Sequence, residues 1–108
     1  MKIFDKEFVL EMLTKEKEFK SGDTIEFTKP SSNGVIWIYK IIRESERYLP
    51  FAFILEGKSS ERSPAGTYAC HNRRYESLNQ LFTHLLNNYN DNANMKKKYC
   101  NVEQYLFG

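Results

Sequence analysis

The sequence predicts a two-layer α+β fold, because helical and strand-like hydrophobic patterns occur in separate blocks along the chain. Apolar stripes at helical spacing lie near the N-terminus and in residues 78–89, and strand-like segments lie between them. We therefore expect an N-terminal helix, a four-stranded antiparallel meander, a C-terminal helix and a short terminal helix. A length of 108 residues fits one α+β domain covering residues 1–108.

The first helix is predicted from its start signal and its apolar stripe. Asp5 is placed to cap the helix, and Phe4 and Val9 occupy the positions of a hydrophobic staple. The stripe comprises Phe8, Val9, Met12 and Leu13. Ser21-Gly22-Asp23 is predicted to end the helix.

The segment from Val35 to Ile42 is predicted to be a strand with apolar residues on both faces. Asn33-Gly34 precedes it and is typical of a two-residue hairpin turn. That turn predicts Phe27 opposite Lys40, which puts Lys40 on the core side. One face would hold Ile25, Phe27, Ile36, Ile38 and Ile42, and the other Glu26, Thr28, Trp37, Tyr39 and Ile41.

The next hairpin is predicted to turn at Ser45-Glu46, so that Ile42 lies opposite Leu49 and Ile38 opposite Phe53. This register assigns Leu49, Phe51, Phe53 and Leu55 to the core face, and Pro50, Ala52 and Ile54 to the opposite face. Both hairpins therefore predict the same two faces.

The second half of the chain is predicted to contain a loop, a strand and two helices. Gly57 to Gly66 is polar and is interpreted as a loop, and Thr67 to His71 as the fourth strand. Ser77 and Gln80 have the spacing of a capping box at the start of the second helix. The same spacing, beginning at Asn101, predicts a short last helix.

The composition excludes some classes of protein. The net charge of +2 is too small to indicate nucleic-acid binding by itself. The first residues are charged, unlike a signal peptide, and no apolar run approaches the roughly 20 residues of a membrane span. We expect a cytoplasmic protein without a membrane partner. The abundance of Lys, Asn and Ile indicates an AT-rich bacterial or phage genome.

Residues with metal-binding or nucleophilic atoms are few and scattered. Cys70, His71, His84 and Cys100 match no zinc-ligand spacing, and adjacent strand residues point to opposite faces. We expect no catalytic residues, no metal, no cofactor and no structural disulfide.

The leading functional hypothesis is a small non-enzymatic protein-interaction module, such as an adaptor, inhibitor or regulator. The predicted partner-binding patch is apolar and aromatic, and it consists of Trp37, Tyr39, Ile41 and Ile54. Such a patch indicates a protein partner or a homodimer when it is uncovered. The competing interpretation is that the protein's own C-terminal segment, with Tyr99, Val102, Tyr105, Leu106 and Phe107, covers this patch.

Two further functions remain open. A nucleic-acid-binding domain would hold phosphates with its arginine clusters and stack bases on Trp37 and Tyr39. Its predicted basic residues are Arg43, Arg47, Arg73 and Arg74. The weaker alternative is an enzyme whose site is assembled from dispersed residues.

Overall fold

The computed structural model describes residues 2–30, 34–44, 52–62, 68–87 and 101–108, with the backbone alone at 60–62 and 68–71. A five-stranded, mostly antiparallel sheet has its strands in chain order. The strands are β1 (Lys2–Ile3), β2 (Thr24–Pro30), β3 (Ile36–Arg43), β4 (Phe53–Arg62) and β5 (Tyr68–Tyr75). The helices are α1 (Lys6–Thr14), α2 (Leu78–Asn87) and α3 (Val102–Phe107), and a 3₁₀ turn covers Glu16–Glu18. In the described ranges, no helix is long and apolar enough to cross a membrane.

The α+β class is confirmed, but the prediction of four strands is wrong. The additional strand, β1, pairs in parallel with β2 at the edge of the sheet. The backbone N–H of Phe4 extends this pairing by donating to the Thr28 carbonyl at 2.8 Å. A strand of two residues is too short to show an alternating pattern, so sequence periodicity does not reveal it.

Side-chain caps begin the helices where the sequence predicts them. Asp5 accepts from the Phe8 N–H at 2.8 Å, and Asn101 accepts from the Gln104 N–H at 2.9 Å. Ser77 accepts from the Gln80 N–H at 3.2 Å. These bonds satisfy amide donors that have no partner within a helix.

α1 ends earlier than predicted, at Thr14, and the 3₁₀ turn follows it. Leu13 is the last apolar residue of the stripe, and residues 14–18 contain only threonine, lysine and glutamate. Since most helical stability comes from packing an apolar face, the helix has no reason to continue through this polar run.

The core lies between the three helices and one face of the sheet. Phe4 is partly buried and packs against this core, with its ring centroid 5.8 Å from Phe27, 5.9 Å from Phe82 and 6.3 Å from Tyr105. α3 contributes Val102, which is fully buried. The C-terminal helix therefore packs on the same side of the sheet as α1 and α2.

The register of β2 with β3 differs by one residue from the predicted register. Phe27 pairs with Tyr39, not with Lys40, and Ile25 pairs with Ile41. The last pair is Pro30 with Ile36, so an odd number of residues connects the strands, and a two-residue turn does not fit. Because side chains alternate along a strand, this shift moves all of β3 to the opposite face.

The corrected register exchanges the two faces of β3. Tyr39 and Ile41 are buried, whereas Ile36 and Ile38 are exposed. The assignment of Ile36, Ile38 and Ile42 to the core is therefore wrong. Tyr39 stacks on Phe27 with ring centroids 5.4 Å apart. The aromatic ring of Tyr39, and not the smaller side chain of Ile38, therefore occupies the interior.

Within β4 the faces are as predicted, although the register with β3 is not. Ala52, just before the strand, was predicted on the opposite face but is buried with the core. Arg43 pairs with Phe53 and Ile41 with Leu55, so Ile38 does not meet Phe53. Phe53 and Leu55 are buried, and Ile54 lies on the other face. The observed pairing of β3 with β4 is shifted from the predicted one by an odd number of residues. Each odd shift exchanges the two faces, so this shift and the one between β2 and β3 together leave the faces of β4 unchanged. The predicted hairpin tip at residues 45–46, with Leu49 and Phe51, lies outside the described residues.

The prediction of a loop from Gly57 to Gly66 is wrong over its first part. β4 continues to Arg62, and β5 runs from Tyr68 to Tyr75, beyond the predicted end at His71. Gly57 lies between Tyr39 and His71 in the sheet. Polar strand residues are stable here because neighbouring strands satisfy the backbone hydrogen bonds. Residues 63–67 lie outside the described ranges.

Candidate functional site: the open face of the sheet

The face of the sheet opposite the helices is the candidate functional site, and we call it the open face. Directly paired residues of antiparallel strands point to the same side, so the observed registers define its members. They are Thr24, Glu26, Thr28 and Pro30 of β2; Ile36, Ile38, Lys40 and Ile42 of β3; Ile54, Glu56 and Lys58 of β4; and Asn72 and Arg74 of β5.

Four isoleucines form the apolar part of the open face. Ile36 is 46% exposed and Ile38 is 39% exposed. Ile42 and Ile54, which are half-buried, pair with each other across β3 and β4. Large aliphatic side chains are more often buried than exposed, so four on one solvent-facing side of a sheet indicate a contact surface.

A row of alternating charges crosses the middle of the open face. Glu26 pairs in register with Lys40, and Lys40 pairs with Glu56. The Lys40 ammonium lies 3.9 Å from the Glu26 carboxylate. The row borders a shallow cavity of about 170 Å³, which Ile38, Gly57 and Lys58 also line. Ile38 and Ile42 flank Lys40 on β3, so the charges separate two apolar areas.

An ion pair fixes one end of the open face. The Arg74 Nε donates to the Glu44 Oε1 at 2.8 Å, and only 5% of the Glu44 side chain is exposed. Arg74 pairs in register with Ile54. The buried carboxylate therefore orients the guanidinium beside the Ile42 and Ile54 pair.

Three of the four predicted partner-binding residues lie on the helix side of the sheet. Tyr39 and Ile41 are 1% and 0% exposed. Trp37 is half-buried and stacks on Tyr39 with centroids 6.0 Å apart. Ile54 alone lies on the open face. The exposed Trp37 face proposed from the sequence is therefore wrong.

One feature of the sequence favoured the correct register. The predicted register placed Lys40 in the core, where a charged side chain is costly. The observed register moves Lys40 to the open face beside Glu26. The exposed residues Ile36 and Ile38 were missed because β3 is apolar on both faces, so its pattern is equally compatible with either register.

The described arginines of the nucleic-acid hypothesis do not converge on Trp37. Arg43 lies on the helix side, with its guanidinium 4.8 Å from the Phe53 ring and a 3.1 Å hydrogen bond to the Ala52 carbonyl. Arg73 pairs with Leu55 and Arg74 with Ile54, so these two point to opposite faces. Arg43 and Trp37 lie near opposite ends of β3, a separation of about 20 Å. Arg47 lies outside the described residues.

The residues with metal-binding or nucleophilic atoms are described only in part. Within them, no group of three or more His, Cys, Asp or Glu side chains is placed to hold a metal ion. The side chains of Cys70 and His71, and all of Cys100, lie outside the description, so the expectations about metal and disulfide remain predictions. His84 lies in α2 beside the ring of Tyr75, with centroids 5.5 Å apart.

The groove between α1 and β2 contains a carboxylate with a shifted pKa. It measures about 330 Å³ and includes Glu11, Lys15 and Asp23 in its lining. The hydrogen bond and charge of Lys2, and more weakly Lys15, lower the pKa of Glu11. A lowered pKa holds Glu11 as a carboxylate, which suits an ion pair and not a general acid.

Comparison with known proteins identifies no relative: no family model, no curated protein and no solved structure matches the chain.

Proposed function

We propose that this protein is a small non-enzymatic interaction module that binds a protein partner through the open face of its sheet. The observation that carries this proposal is the exposure of Ile36 and Ile38 on the face opposite the three described helices, a face that also holds Ile42 and Ile54. Covering these side chains would remove apolar surface from water, which is the main favourable contribution to most protein association.

The chemistry of the open face favours a protein over a nucleic acid. Its central row alternates in sign, with Lys40 between two glutamates, and so presents no continuous positive stripe for phosphates. Its exposed apolar groups are aliphatic, whereas base stacking uses mainly aromatic rings. A partner with apolar side chains and charges of both signs matches this surface.

A matched pair of variants tests the proposal. Ile38→Glu places a charge on the open face, and Leu10→Glu makes the same kind of change on α1, where Leu10 is 47% exposed. Both variants are expected to fold, because neither residue is buried. Wild type and both variants are immobilised and exposed to nuclease-treated extract at moderate salt, and the retained proteins are quantified.

The expected result is that Ile38→Glu loses at least tenfold of a captured protein that Leu10→Glu retains, because a desolvated charge opposes docking. Equal capture by all three proteins would exclude the open face as the binding surface. Retention of nucleic acid in the untreated extract, lost at higher salt, would instead favour the nucleic-acid alternative.

A further inference from the structure

We infer that a second copy of this chain is a partner of the open face, in a two-fold symmetric dimer. The inference rests on the proposed function, because it names the occupant of the same surface. Its basis is the pattern of charges and isoleucines on β3 and β4, which is complementary to itself under one particular symmetry operation. A two-fold interface requires this kind of self-complementarity.

The operation is a two-fold axis in the plane of the interface, parallel to the strands and midway between β3 and β4. It places β3 of one copy over β4 of the other, with residues of one cross-strand row facing the same row. Lys40 of each copy then faces Glu56 of the other, since the two are paired in register within one chain. Ile42 likewise faces Ile54 of the second copy.

The same axis gives compatible contacts at the outer strands. Arg74 faces Thr24 of the second copy, and Glu26 faces Asn72, because these residues end the same two rows. Ile38 faces the aliphatic stem of Lys58, which pairs with it in register. No pair of like charges is opposed in these rows.

The charge row selects this axis over a perpendicular one. An in-plane axis along the Glu26–Lys40–Glu56 row would place Lys40 over Lys40 and Glu56 over Glu56 of the second copy. Opposed like charges in a closing interface are strongly unfavourable. Face-to-face sheets pack with their strands nearly aligned. Both axes give this alignment, so the charge row alone decides between them.

The charges needed for the contact are accessible within one chain. The Lys40 side chain is 41% exposed, and its distance of 3.9 Å from Glu26 is long for a hydrogen-bonded ion pair. Across the described part of the chain, the Glu56 carboxylate forms no ion pair or side-chain hydrogen bond. Docking would give Glu56 a cation without breaking an existing bond of its own.

The size of the open face predicts a weak dimer. Strand spacings of about 4.8 Å and residue spacings of about 6.8 Å give a footprint of roughly 20 Å by 20 Å. About 400 Å² from each copy is below the roughly 800 Å² per partner of a standard interface. We therefore expect rapid exchange and a micromolar dissociation constant, not a permanent dimer.

Sedimentation equilibrium of the full chain is the first measurement. Between about 5 µM and about 500 µM, the apparent mass is expected to rise from monomer toward dimer, with the midpoint in the micromolar range. A monomer throughout this range would overturn the inference. It would leave the proposed function intact, because a different protein could still occupy the open face.

Charge reversals then identify the contact. Lys40→Glu opposes glutamates across the axis, and Glu56→Lys opposes lysines, so each variant alone is expected to dimerise at least tenfold more weakly. In an equimolar mixture of the two variants, the introduced glutamate of one chain faces the introduced lysine of the other. The native Glu56 of the first chain then faces the native Lys40 of the second. The mixture is expected to recover dimerisation to within about threefold of wild type.

The mixture separates interface effects from folding effects, because each chain keeps its own substitution. Circular dichroism melts of both variants establish that they fold; if one does not, the double variant Lys40→Glu/Glu56→Lys replaces the mixture, since it restores the pairing in a homodimer. Dimerisation unaffected by either reversal would place the dimer contact elsewhere and overturn the inference. If the wild type never dimerises but Ile38→Glu still loses the captured protein, the result would support only the proposed function.

Discussion

The two faces of β3 contain similar amounts of apolar side chain but have opposite surroundings. Trp37, Tyr39 and Ile41 pack toward the helices, and Ile36, Ile38 and Ile42 point away from them. The first set packs with the core between sheet and helices, whereas the second lies on the opposite face and remains partly exposed. Two isoleucines on one strand thus have different surroundings: Ile41 is buried in the core, and Ile38 lies on the surface that we propose binds a partner.

The largest expected effect compares those two isoleucines directly. Ile41→Ala removes a fully buried side chain and is expected to lower the free energy of unfolding by about 2–5 kcal/mol, because it leaves a cavity. Ile38→Ala, at 39% exposed, is expected to cost less than about 1 kcal/mol. Urea denaturation measures both. A larger loss for Ile38→Ala than for Ile41→Ala would instead support the register predicted from Asn33-Gly34.

Trp37→Ala tests whether this aromatic residue serves the fold or a partner. Trp37 is half-buried against the core and stacks on Tyr39, so we expect a loss of about 2 kcal/mol in unfolding free energy. Trp37→Phe keeps an aromatic ring and should recover much of that loss. Partner capture and self-association should be unchanged in both variants. A loss of binding with unchanged stability would mean that Trp37 is part of the binding surface, as the sequence predicted.

A smaller effect is expected from substituting Glu16, whose side chain contacts the start of α2 on the helix side of the sheet. Its Oε1 accepts from the Leu78 N–H at 3.0 Å, where α2 begins. Glu16→Ala removes this acceptor and is expected to cost about 1 kcal/mol in the free energy of unfolding, as for other helix caps. Glu18→Ala, in the same turn and exposed, is the matched control. Equal effects of the two substitutions in urea denaturation would contradict this capping role.

The smallest effect concerns pH and the ion pair between β1 and α1. Lys2 lies 2.8 Å from Glu11 and is the main cause of the lowered pKa of Glu11. A lowered folded-state pKa means that the pair stabilises the fold above the ordinary glutamate pKa. That contribution is lost as the pH falls through the lower folded value.

Lys2→Gln should therefore raise the pKa of Glu11 toward its ordinary range and weaken the acid dependence of stability. NMR titration of Glu11 measures the shift. Lys15→Gln, which removes a weaker contributor 3.6 Å from the same carboxylate, should raise the pKa less. The opposite ranking would mean that α1, and not β1, supplies the main charge partner.

The local signals predicted the helix starts and the faces of two strands. Asp5, Ser77 and Asn101 each cap a helix, because a side-chain cap depends on residues only three positions apart. Phe27 and Leu55 are buried as predicted, since β2 and β4 each have a single strongly apolar face. The candidate site was predicted less well, because of its four predicted residues only Ile54 lies on the open face.

The sequence by itself determined the α+β class, the helix caps and the presence of a strand that is apolar on both faces. Only the tertiary structure decided which side of β3 is covered. The reason is that β3 satisfies the hydrophobic pattern in either register, so the choice depends on contacts outside the strand: the packing of Tyr39 against Phe27 and the access of Lys40 to water. These contacts form between residues distant in sequence, and the two-residue strand β1 likewise exists only because β2 lies beside it.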